Sequence, residues 1–101
     1  MSKKRSICIY GLRDPIDGQI RYVGQSLNPA LRLGGHISAA RAHRRYGNYL
    51  NCKDRWLLRL VRARKAPTLV FLALCKTQPN ADAVEAHHIR LRQASLYNAK
   101  R

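Results

Sequence analysis

No segment constrains this chain more than Asp14-Pro15-Ile16-Asp17-Gly18. Aspartates bond the backbone two residues on, proline presets its φ, and glycine takes the left-handed position, so these five residues specify a chain reversal. Runs rich in Ile and Tyr flank it. Ser6–Leu12 (SICIYGL) reads as one strand and Gln19–Gly24 (QIRYVG) as a second, with Ile20 and Tyr22 alternating against Arg21 and Val23. Together they predict a β-hairpin.

The rest of the chain must cover that hairpin. Asn28-Pro29 opens a helix, with Asn as N-cap and Pro in the first turn, running to about Arg45. Gly34-Gly35 inside it costs about 2 kcal/mol against two alanines, and close approach of another backbone would explain the pair. Residues 46–51 form a loop. Cys52–Lys65 predicts a second helix, with Trp56, Leu57, Leu60 and Val61 on one side and Arg55, Arg59 and Arg62 on the other. Pro67 stops it. Thr68–Cys75 (TLVFLALC) is a nearly continuous apolar run, the pattern of a buried strand. Asn80 caps a last helix from Ala81 to about Ala94, whose inward arc is set by Val84, Ile89 and Leu91. The order β-β-α-α-β-α defines an α+β domain.

Length and charge narrow the function. At 101 residues there is material for one domain, with a basic tail at 1–5 and the body at 6–101. The 46% apolar content argues against simple disorder. The longest apolar run, Ala66–Cys75, spans ten residues, against about 20 for a membrane span. Arg13 and Asp14 interrupt the early apolar stretch, so no signal peptide is expected. Cys8, Cys52 and Cys75 are odd in number and far apart, which fits a reducing compartment such as the cytoplasm. Lys+Arg number 20 and Asp+Glu 5, a formal charge of +15. Such a chain attracts polyanions. Arg41–Lys65 holds nine of the basic residues against Asp54, with Tyr46, Tyr49 and Trp56 interleaved. That mixture points to nucleic acid: DNA, with RNA as the other polyanion that fits. The stripe Arg55, Arg59, Arg62 and the tail Lys3, Lys4, Arg5 are the candidate phosphate contacts.

Some residues resist a purely structural role. Glu85 falls inside the inward arc of the last helix, where an ionised carboxylate needs a partner or a cation. A pair with His88 or Arg92 on the same helix would satisfy it. Arg32, His36 and His43 form one stripe on the first helix, either a solvated basic face or a row of phosphate-facing donors. The histidines show no chelating spacing.

Cys8-Ile9-Tyr10, then Tyr22-Val23-Gly24 after a turn, then a helix bearing Arg32 and His36, resembles the GIY-YIG nuclease superfamily. Glu85 with His88-Ile89 resembles that family's metal-ligand helix, and Leu96-Tyr97-Asn98 its closing asparagine motif. Asn28-Pro29 and Trp56 are similar to small members. Each short motif is weak by itself, but six in this order are specific, and they span about Ile7 to Asn98. Cys8 replaces the first glycine of the eponymous motif, and Val23 its isoleucine.

The resemblance implies a three-stranded antiparallel sheet flanked by helices, and divalent-metal-dependent cleavage of DNA phosphodiesters. It maps the catalytic tyrosines to Tyr10 and Tyr22, the arginine to Arg32, the histidine to His36 and the metal-binding glutamate to Glu85. Gly24 would permit close backbone geometry and Asn98 would support it. One carboxylate suits Mg²⁺ or Mn²⁺, which keep waters and take phosphate oxygens. The planar fork of Arg32 suits the non-bridging oxygens. A phenol with pKa about 10 is a poor base at neutrality, by about 4 kcal/mol, and nearby cations such as Arg32, Arg21 and the metal would have to lower it. With three residues after Asn98, specificity is expected from DNA structure, a protein partner or dimerisation. The alternative reading is a non-catalytic basic DNA- or RNA-binding module on the same fold.

Overall fold

The computed structural model describes residues 6–98. The tail residues Lys3, Lys4 and Arg5, expected as phosphate contacts, lie outside them. The elements are β1 (Ile7–Arg13), β2 (Ile20–Ser26), α1 (Pro29–Arg45), α2 (Cys52–Arg62), β3 (Thr68–Cys75) and α3 (Gln78–Leu91). The three strands form an antiparallel sheet in the order β2-β1-β3. The expected α+β fold with order β-β-α-α-β-α is therefore the one observed.

The hairpin closes as its turn residues dictate. Asp14 N–H donates to the Gln19 carbonyl at 2.8 Å, Gly18 N–H donates to the Asp14 carbonyl at 2.9 Å, and Gly18 takes φ 75°. Asp14 is itself buried. Its Oδ1 accepts from Ile16 N–H at 2.7 Å and its Oδ2 from the Trp56 indole N–H at 2.9 Å, tying the turn to α2.

Central strand β1 is covered on both faces. Cys8, Tyr10 and Leu12 face Ala40 of α1 and Trp56, Leu57 and Leu60 of α2. Ile9 faces the other way, onto Val23, Cys75, Ala81 of α3 and Leu96. In register Tyr10 opposes Gly24 and Leu12 opposes Tyr22, so both tyrosines lie on the α1/α2 face.

Helix ends follow local chemistry. Asn28 caps α1, its side chain accepting from Leu31 N–H at 3.2 Å, with Pro29 in the first turn. The apolar arc of α2 is buried while Arg55, Arg59 and Arg62 are exposed. That helix stops at Arg62, earlier than Pro67 required. Arg64 turns left-handed at φ 58°, and Lys65 N–H donates back to the Leu60 carbonyl at 2.8 Å.

Several expectations need correction. β3 is an edge strand, and Phe71 and Leu74 are 68% and 70% exposed. Its register slips at the bulge between Ala73 and Phe71, opposite Ile9 and Tyr10. Helix α3 starts at Gln78 rather than Ala81, because Thr77 supplies the cap to Asn80 N–H and Pro79 fits the first turn. Leu91 is exposed, since two helical steps carry it to the side opposite Ile89; Leu96, beyond the helix, fills the core instead. No backbone crowds Gly34 or Gly35, and a Cβ at either would meet nothing within 4 Å.

Candidate active site

Tyr10, Tyr22, Arg32, His36 and Glu85 come from four different elements; the two tyrosines and His36 lie against one another, and the charges of Arg32 and Glu85 bear on both phenols. β1 places Tyr10 at the bottom of the site, fully buried. β2 places Tyr22 beside it, half-buried, with ring centroids 6.3 Å apart. Gly24, opposite Tyr10 in the sheet, makes room for both: a Cβ there would lie 2.8 Å from the Tyr10 hydroxyl and 2.8 Å from the Tyr22 ring. Real Cβ atoms do not approach that closely, so the absent side chain is a condition of the paired phenols.

Helix α1 brings Arg32 and His36 over this pair. His36 is buried, with Nε2 2.9 Å from Tyr10 Oη and its ring edge-on to Tyr22 at 4.9 Å. Its other nitrogen, Nδ1, lies 3.1 Å from Lys53 Nζ in the first turn of α2. Burial, with the nearby charges of Lys53 and Arg32, pulls the imidazole down to about 4, so it is neutral at physiological pH. Lys53 also stands over the Tyr22 ring, 5.1 Å from its centroid. Burial, opposed by the neighbouring Asp54 and assisted by Arg32, lowers its ammonium.

Arg32 is exposed and lines a groove with Ser26, Leu27, Asn28, Leu31 and Gly35. Its charge reaches both phenols, His36 and Lys53. Burial drives both phenols upward, Tyr10 far above the ordinary value, and Arg32 only partly offsets it. Arg21 gives no help. It pairs with Asp17 at 2.7 Å, donates to the Ser95 carbonyl at 2.9 Å and lies over the Tyr97 ring.

Glu85 comes from α3 on the opposite face of the sheet, and its charge is felt by both tyrosines. His88 bonds Arg92 at 3.0 Å, so neither supplies the partner expected for Glu85 within the helix. That partner is Gln25 of β2, whose amide donates to Glu85 Oε1 at 3.0 Å and to Asp82 Oδ1 at 2.9 Å. Neither ion pair among the described residues involves Arg32 or Glu85. Asn98 seals β2 from outside. Its Oδ1 accepts from Val23 N–H at 2.9 Å and its Nδ2 donates to the Val23 carbonyl at 2.7 Å, so one side chain stands in for a fourth strand between Tyr22 and Gly24.

The basic surface lies further along α1 and α2. Arg41, Arg44, Arg45 and Arg62 ring an open groove floored by Leu58 and Val61. Arg55 and Arg59 are exposed on α2. His43 donates from Nδ1 to buried Asp54 at 3.2 Å, so its first partner is α2.

Sequence reasoning missed Lys53, Gln25 and Asp82. Asp82 sits three residues before Glu85 and shares its face, which spacing alone could reveal. Gln25 directly follows the Tyr22-Val23-Gly24 motif. Lys53 carries no local signal.

A family model for the GIY-YIG catalytic domain matches residues 6–98. The chain belongs to the GIY-YIG family, and that membership supports nuclease activity in general. No curated protein and no solved structure gives a significant match. No helix among the described residues is long and apolar enough to cross a membrane.

Proposed function

We propose that the protein is an endonuclease that hydrolyses DNA phosphodiesters with a divalent cation held at Glu85. The observation that supports this reading is the clustering of Tyr10, Tyr22 and His36, with both phenols against Gly24, Arg32 one helical turn from His36, and Glu85 held to β2 through Gln25. The donor set fits a hard cation. Glu85 is tied by a neutral amide and not by an ion pair, and Asp82 shares that amide. No cluster of three or more His, Cys, Asp or Glu side chains that could hold a metal exists among the described residues. One or two carboxylates completed by water and phosphate oxygens suit Mg²⁺ or Mn²⁺ and not a four-ligand Zn²⁺ site. When bound, such an ion supplies charge neutralisation at the phosphate and the leaving oxygen.

The chain's own residues do the rest. Arg32, exposed at the groove, places its fork on the non-bridging oxygens as charge builds there. Tyr22 is the more accessible phenol and meets the attacking water. Raised phenols are weak bases at neutrality, so Tyr22 orients the water by hydrogen bonding, with Tyr10 and His36 behind it. Arg55, Arg59, Arg62 and the Arg41–Arg45 groove hold flanking phosphates. The three free cysteines suit a reducing compartment such as the cytoplasm.

The test is nicking of supercoiled plasmid with and without Mg²⁺ or Mn²⁺, by the protein and by Glu85→Ala. Metal-dependent nicking lost in the variant, with DNA binding retained, is the expected result. Full activity in Glu85→Ala would remove the site. Salt-sensitive binding without cleavage under any metal would point instead to a non-catalytic nucleic-acid-binding module.

A further inference from the structure

We infer that Lys53 is a positioning residue of this site: its ammonium fixes the His36 imidazole in the Nε2–H form and so makes Tyr10 Oη the acceptor of that hydrogen. An ammonium has three donors and no acceptor. The 3.1 Å contact between Lys53 Nζ and His36 Nδ1 therefore requires a lone pair on Nδ1. A neutral imidazole carries one N–H, which must then sit on Nε2. Nε2 is 2.9 Å from Tyr10 Oη, close enough for that N–H to donate to the phenol oxygen.

The surroundings agree. A doubly protonated His36 would turn an N–H toward the Lys53 ammonium, and burial together with Lys53 and Arg32 keeps the ring neutral. Burial, with Arg32, works against the Lys53 charge and lowers its ammonium, and Asp54, adjacent to it, opposes that effect. The Tyr22 ring packs against both His36 and Lys53, which limits rotation of either. The groups facing His36 are thus Tyr10 and Tyr22 from the sheet, Arg32 from its own helix, and Lys53 and Asp54 from α2.

The choice of tautomer sets the polarity of the whole chain of contacts. With Lys53 present, the imidazole donates to the Tyr10 oxygen and leaves the phenolic hydrogen to point elsewhere. Without Lys53, the proton can move to Nδ1, and Nε2 then accepts the hydrogen of Tyr10. The catalytic consequence rests on the nuclease reading; the tautomer does not.

Long-range proton–nitrogen correlation spectra of protein carrying ¹⁵N-histidine read the tautomer directly. The expected result is Nε2–H for His36 in the wild type and in Lys53→Arg, and a shift toward Nδ1–H in Lys53→Met. In plasmid nicking, Lys53→Met should lower kcat by on the order of 10²-fold at unchanged KM, the low end for misplaced proton-transfer groups. Lys53→Arg should recover most of it. An Nδ1–H tautomer in the wild type overturns the inference, as does a folded Lys53→Met protein with an unchanged tautomer. The wild-type spectrum requires neither a folded variant nor cleavage. A protein that never cuts DNA but shows the expected tautomer would refute the nuclease reading and leave Lys53 in place.

Discussion

At the level of single residues, the site is built on one missing side chain and one neutral imidazole. Gly24→Ala forces a methyl into the Tyr10 hydroxyl and the Tyr22 ring. The expected outcome is loss of nicking by at least about 10²-fold, with far-UV circular dichroism still showing the sheet and helices. His36 makes a signed prediction about pH. Its folded value of about 4 lies below the ordinary imidazole value of 6.5, so the unfolded chain binds the extra proton first. Stability attributable to this residue is therefore complete above about pH 6.5 and lost progressively down to about 4, on the order of 3 kcal/mol in all. Urea titrations from pH 7 to 4 should show that slope in the wild type and a shallower one in His36→Gln. That Tyr10, Tyr22 and His36 would meet was legible in the sequence because each lies in a short local pattern. Lys53 was not, since its meaning depends on how α1 packs against α2.

Among the elements, the turn of the hairpin is hydrogen-bonded to α2 through the Asp14 carboxylate. Asp14→Ala leaves the Trp56 indole N–H buried without its acceptor and removes the bond that shapes the turn. A loss of roughly 2 kcal/mol is expected, visible as a drop in Tm and a change in Trp fluorescence. Arg64 offers the opposite change. It occupies a left-handed position at φ 58° at the end of α2, and Arg64→Gly should raise stability by about 0.5–1 kcal/mol in the same denaturation assay. Order and type of all six elements could be read from turn residues, caps and periodicity. The setting of β3 could not. A continuous apolar run looks the same whether a strand is covered on both faces or lies at an edge, and only the pairing order of the sheet separates the two. The start of α3 was misread for a related reason: Thr77 and Asn80 are both good caps, and Pro79 between them decides for the earlier one.

For the molecule as a whole, the excess positive charge governs behaviour in solution. On the proposed DNA-cutting reading, a formal charge of +15 on 101 residues is expected to make binding steeply dependent on salt. If Arg55, Arg59 and Arg62 each neutralise one phosphate, replacing all three with serine lowers the log–log slope by about 2.7 units, measurable by fluorescence anisotropy across a range of KCl. The same charge protects the open side of β3. Phe71 and Leu74 are exposed on a strand whose outer edge pairs with no strand among the described residues, and like charge on two molecules opposes their meeting there. Concentrated salt dissolves that repulsion at the same time as it strips away bound polyanion. A wash strong enough to clean the protein of nucleic acid is thus the one most apt to make it clump, and a single lysine at position 71 would part the two effects.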